Sequence, residues 1–166
     1  MTTIRAARDG DFFPWLTLYE GYAAFYRTEL TDESAVRTWQ WITRGDHGLR
    51  AFLAVNEEGD LEGLAHVRTI AQPLEGTTAL YLDDLFVAES ARGAGVGSLL
   101  LSFLKRLAVA EGHSSVSWIT AADNEAAQRV YDRVAARTTW VTYEMSAGDD
   151  TRSVAGVPTP SADASS

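Results

Sequence analysis

The chain is 166 residues long, with 14 Lys and Arg against 23 Asp and Glu and a formal net charge of −9. That length suits one domain, and 46% hydrophobic with 22% charged residues is the balance of a folded protein, which excludes disorder throughout. Cys is absent, which removes a disulfide framework, a thiolate zinc site and a cysteine nucleophile together.

The acid excess argues against nucleic acid or an anionic membrane as a partner, and no apolar run is long enough to span a bilayer. Met1-Thr2-Thr3-Ile4-Arg5 does not open a secretory signal, so the expected location is the cytoplasm.

Residues 3–6 read as a short strand. Trp15, Tyr19, Tyr22 and Tyr26 then recur at helical spacing. Thr31-Asp32-Glu33 starts a second helix, with Thr31 as N-cap, and residues 45–48 close it. Residues 51–55 and 61–69 form a hairpin around the turn cluster Asn56-Glu57-Glu58-Gly59-Asp60. A third strand covers 79–87 and a fourth 116–120. Between them Val96, Leu99, Leu100, Phe103, Leu104 and Leu107 mark an amphipathic helix. Strand, helix and strand in succession make a parallel crossover. A helix over 126–134 and a strand over 138–145 follow. The fold expected is mixed α/β, with antiparallel strands first and a parallel crossover later. From 147 to 166 the composition turns to Gly, Ser, Thr, Ala, Asp and Pro, which reads as a flexible tail after a domain at 1–146.

The most informative stretch is Leu82-Asp83-Asp84-Leu85-Phe86-Val87 followed by Arg92-Gly93-Ala94-Gly95-Val96-Gly97-Ser98. It runs from a strand through a glycine loop into a helix. Loop glycines let backbone N–H groups approach a phosphate, and the unpaired amides and dipole of the helix start favour an anion. Arg92 adds a full positive charge. A phosphate loop of the Gly-Lys-Ser/Thr kind would need a Lys that is not there, and Gly93-x-Gly95-x-Gly97 lacks the Gly-x-Gly-x-x-Gly spacing of a dinucleotide turn. A single turn glycine would serve a merely conformational need; three beside an Arg suit a pyrophosphate.

These two motifs resemble the acetyl-CoA-binding segment of the Gcn5-related N-acetyltransferases. Trp118-Ile119-Thr120-Ala121-Ala122-Asp123-Asn124 and Ala127-x-x-Val130-Tyr131 resemble the family's later strand and helix, closest to its polyamine, diamine and yeast histone/polyamine members. Val134-Ala135-Ala136-Arg137 departs from the Gly-Phe that often follows the Tyr helix.

The resemblance implies a central sheet, mostly antiparallel, with splayed middle strands and helices on both faces. It implies acetyl-CoA as co-substrate, held by Leu85, Phe86, Val87, Arg92, Gly93, Ala94, Gly95, Val96, Gly97, Ser98 and Asn124, and no metal. The acceptor is then a small, polyamine-like primary amine or a lysine side chain, attacking directly in a ternary complex. Tyr131 stands where the family's general acid stands. Asp83 matches an acid implicated in amine binding or deprotonation, and Asp84 is its neighbour. Adjacent strand residues face opposite sides and buried acids are costly unless satisfied, so a bulge is expected there. Tyr19, Glu20, Tyr22, Trp118 and Thr120 are the residues expected to line the acceptor site, and a homodimer is expected by family analogy. The competing reading is a catalytically silent acyl-CoA-binding module with the same glycine loop.

Overall fold

A computed structural model describes residues 1–147 of the protein. The expected tail over 147–166 lies outside the described residues, save Ala147. The chain divides into two compact units, Met1–Ile119 and Thr120–Ser166.

The first unit carries one five-stranded sheet: β1 (Thr3–Ala6), β2 (Arg50–Val55), β3 (Leu61–Gln72), β4 (Thr77–Val87) and β5 (Val116–Ser117), in the spatial order β1-β2-β3-β4-β5. The first three pairings are antiparallel, and β4 with β5 is parallel. The mixed sheet with a parallel crossover is therefore as the sequence implies. Helices α1 (Phe12–Phe25), α2 (Asp32–Arg44) and α3 (Val96–Glu111) complete the unit.

Strand alternation divides the sheet's side chains between two faces. On one, Leu53, Val55 and Leu64 pack with Trp15 and Leu18 of α1, and Trp39 and Ile42 of α2 close over them. On the other, Phe52 meets Phe103 of α3 at 4.9 Å, and the fully buried Leu100 and Leu104 continue the helix's apolar stripe. Truncating a buried leucine of that stripe to Ala costs about 2–5 kcal/mol. Thr31 caps α2 as its sequence predicts, accepting from the Ser34 N–H at 3.2 Å.

Two expected strands are corrected. Residues 116–120 shorten to Val116–Ser117, because pairing with β4 stops at Tyr81↔Ser117 and the rest has no ladder to join. Residues 138–145 form no strand. Trp140, Val141, Tyr143 and Met145 are 89%, 71%, 90% and 93% exposed, and an extended segment needs a neighbour for its backbone groups and apolar side chains. In the second unit the expected helix over 126–134 is α4 (Glu125–Tyr131). It closes earlier in a turn where Val134 and Ala135 both donate to the Tyr131 carbonyl, at 3.0 and 2.8 Å.

Candidate active site

The expected irregularity in β4 is present. Against β3, Leu82 lies opposite Val67 and Asp84 opposite His66, so Asp83 is the extra residue of a bulge. In a regular strand Leu82 and Asp84 would share a face. The bulge instead leaves Leu82 buried and turns Asp84 to His66 and Asp83 to Arg68.

His66 is 1% exposed in a strand of apolar neighbours. Its Nε2 accepts the indole N–H of Trp15 at 2.9 Å, and its Nδ1 lies 2.8 Å from Oδ2 of Asp84. An indole nitrogen only donates, so Nε2 is the bare nitrogen and Nδ1–H donates to the carboxylate. The phenols of Tyr19 and Tyr22 also interact with Asp84. Burial pulls the Asp84 carboxyl upward, but the donors His66, Tyr22 and Tyr19 outweigh it and hold the group below the usual carboxylate range. The same burial, with the Asp84 charge beside them, raises both phenols above the ordinary tyrosine value. Asp83 shifts the other way: burial raises its carboxyl, opposed by the Arg68 guanidinium at 3.0 Å. A part-buried carboxylate that accepts from His66 and is flanked by the rings of Tyr19 and Tyr22 suits an ammonium group.

Among the described residues the β4 edge that faces β5 has no strand partner beyond Tyr81, so there Leu85, Phe86 and Val87 pair with β3 alone. Gly21 of α1 lies against the Phe86 ring, and a Cβ there would come within 2.9 Å of it; glycine is what lets the helix approach this strand end.

The chain then enters the glycine loop. Gly95 sits at φ +84 as the residue before α3, a left-handed conformation, and a Cβ placed there meets nothing within 4 Å. The first helical bond is Leu99 N–H to the Gly95 carbonyl, which leaves the amides of Val96, Gly97 and Ser98 without an intrahelical acceptor. Gly93, also at positive φ, and Ala94 precede them. Open space, free amides and a helix N-terminus fit a pyrophosphate. Arg92 folds back, its Nε donating to the Val87 carbonyl at 3.3 Å and its guanidinium lying over Phe25 and Phe86.

Of the other expected residues, Glu20 is exposed and makes no hydrogen bond or ion pair among the described residues, unlike Tyr19 and Tyr22. Trp118 lies just past β5 and is half-buried. In the second unit Asn124 caps α4, accepting from the Ala127 N–H and donating to Thr120 Oγ1, both at 3.4 Å, and Tyr131 is the helix's last residue. Sequence reasoning missed Trp15, His66 and Arg68 as parts of the site. A His inside Leu64-Ala65-His66-Val67, facing the strand that carries two acids, is the signal that points to them.

The sequence model of the acetyltransferase (GNAT) family matches residues 15–135, most of the chain and both units. The chain belongs to this family. Among curated relatives it is 32% identical over 142 residues to the D-amino-acid N-acetyltransferase HPA3 of Saccharomyces cerevisiae, covering 85% of this chain and 88% of that protein. Among solved structures it resembles a probable acetyltransferase at 26% identity and TM-score 0.79, covering 89% of this chain and 99% of the other. The aminoglycoside acetyltransferase AAC(6')-Iy, solved with a bisubstrate analogue of CoA and acetylneamine, shares the fold at TM-score 0.76 and 20% identity, over 88% and 98% of the two chains. As a GNAT protein the chain is an acetyltransferase by family. No helix among its described residues is long and apolar enough to cross a membrane, and they hold no metal-ligating cluster.

Proposed function

We propose that residues 1–146 form one acetyltransferase domain that moves an acetyl group from acetyl-CoA to a primary amine. The family match, which runs across both units, supports the single domain. The observation that carries the reading is the succession along one strand and loop: an ionised, tyrosine-lined Asp84, a strand end at 85–87 that pairs on its β3 side alone, and amides at 96–98 that are free among the described residues. These are an ammonium site, a channel for an extended thioester arm and an anion site, in that order.

In this scheme the loop from Arg92 to Ser98 holds the pyrophosphate, with Asn124 adding a contact to the coenzyme, and the backbone of Leu85, Phe86 and Val87 holds the pantetheine. Asp84, helped by Asp83, Tyr19 and Tyr22, draws in the ammonium. Trp118 and Thr120 remain proposed contributors to the acceptor wall. The ammonium sheds a proton, and its nitrogen bonds to the thioester carbonyl carbon. The C–S bond breaks, the departing thiolate takes a proton from Tyr131, and the second proton lost by the nitrogen passes through solvent to restore that hydroxyl; a phenol is the form that can give a proton at neutral pH. The balance is one amide, one thiol and one net proton released.

The acceptor is a small amine; the yeast relative is named for D-amino acids, and polyamines and lysine side chains share the same ammonium. We read the protein as cytoplasmic and homodimeric. The test is thiol release from acetyl-CoA with amino acids, polyamines, aminoglycosides and lysine peptides. Acceptor-dependent release supports an enzyme. Coenzyme binding without release by any acceptor supports a silent acyl-CoA-binding module.

A further inference from the structure

We propose that Arg68, held between Asp83 and Tyr81, is the subsite for a carboxylate on the acceptor, so that the acceptor is a zwitterionic α-amino acid rather than a diamine. The inference rests on the acetyltransferase reading above and adds a substrate class to it.

Arg68 lies two residues beyond His66 on β3, so both side chains leave the same face, roughly 7 Å apart. The bulge at Asp83 brings both acids of β4 to that face as well. Arg68 is anchored at two places. Its Nε donates to both Asp83 carboxylate oxygens, at 3.1 and 3.0 Å, and its guanidinium carbon stands 4.9 Å from the centre of the Tyr81 ring. Both contacts leave the terminal edge unused: neither Nη hydrogen-bonds to any described residue, and the side chain is 43% exposed. A guanidinium fixed at Nε and by its ring contact, with its Nη edge open, is oriented to receive a carboxylate through parallel N–H bonds.

The charge count agrees. Asp84 accepts from His66 Nδ1–H, whose other nitrogen accepts from Trp15 and so carries no second proton, whereas Asp83 is offset by Arg68. The face therefore presents one uncompensated carboxylate and, a strand step away, one open cation edge. An α-amino acid meets both, its ammonium towards Asp84 and its carboxylate towards Arg68. A diamine of the same length brings its second cation against Arg68, where like charges repel.

The test compares matched pairs that differ only in the carboxylate: alanine with ethylamine, phenylalanine with phenethylamine and lysine with cadaverine, the amino acids in both hands. In the parent, kcat/KM for thiol release should favour the amino acid of at least one pair by ~10-fold or more. Arg68→Gln should lower that amino acid by ~10–100-fold, the range of a hydrogen bond to a charged group. It should raise activity with cadaverine, because Asp83 is then uncompensated. Arg68→Lys should recover part of the loss. Calorimetric titration of the same compounds into the CoA-bound protein repeats the comparison without turnover. If no acceptor releases thiol, the acetyltransferase reading fails, and the titration still decides whether Arg68 binds carboxylates. Equal treatment of both members of every pair by the parent overturns the subsite. So does an equal loss on both members in Arg68→Gln with CoA affinity and melting temperature unchanged.

Discussion

The indole N–H of Trp15 donates to Nε2 of His66 at 2.9 Å, and through that bond α1 selects the proton position on a ring buried in β3. With Nε2 occupied as an acceptor, Nδ1–H is committed to Asp84. Proton-coupled ¹⁵N spectra should show His66 as the Nδ1–H tautomer, and an Nε2–H ring would contradict the assignment. Trp15→Phe removes the donor and leaves a buried acceptor unsatisfied, at about 1–3 kcal/mol beyond the packing loss. Denaturant unfolding of that variant measures the cost.

The two neighbouring acids should act on stability with opposite signs. A carboxyl held below its unfolded value contributes stability that is present above the unfolded value and lost as pH falls through the folded one. Asp84 is of this kind. Asp83 is raised, so its ionised form opposes folding, and acidification through its folded value relieves that opposition. Unfolding free energy measured from neutral pH down past the usual carboxylate range, roughly 4, should fall less steeply in Asp84→Asn than in the parent. It should fall more steeply in Asp83→Asn. Identical slopes in all three would contradict the assignments.

Much of the sheet was legible because it rests on local chemistry. The hairpin at 56–60, the Thr31 cap and the apolar stripe of α3 each follow from short patterns, and the structure repeats them. The partner of Asp84 was not legible. Counting back from the Gln72↔Thr77 end of the hairpin puts His66 opposite Asp83; the bulge moves it to Asp84, and spacing alone does not locate a bulge residue by residue. Nor does a helical aromatic stripe say which ring turns its N–H to a histidine. The segment at 138–145 reads as a strand because alternation reports propensity, whereas a strand also needs a neighbour.

Tyr131→Phe keeps the ring and removes the hydroxyl. If Tyr131 protonates the leaving thiolate, coenzyme affinity should change little and kcat should fall roughly 10²-fold, the low end for general acid catalysis, because a thiolate leaves readily. The alkaline limb of the rate profile should change with it. Parental turnover with an unchanged limb would end the role and leave proton delivery to Asp83 and water.

Trp140, Val141, Tyr143 and Met145 expose apolar surface in a segment with strand-forming composition, which supports the proposed homodimer. Sedimentation at micromolar concentration should report a dimer in the parent, and Trp140→Glu with Tyr143→Glu should shift it to monomer. A parent that sediments as a monomer removes the claim.

Acetyl transfer rests on the glycine loop at the start of α3. Mass spectrometry of an amine acceptor incubated with acetyl-CoA, beside thiol release in the same tube, measures it most directly. One acetyl group should be gained per thiol freed. Gly95→Asp, which puts a side chain and a negative charge at φ +84 beside the free amides, should lose coenzyme binding and transfer together. An acceptor that stays unmodified while the parent binds acetyl-CoA, or a Gly95→Asp protein that binds and transfers like the parent, would contradict it.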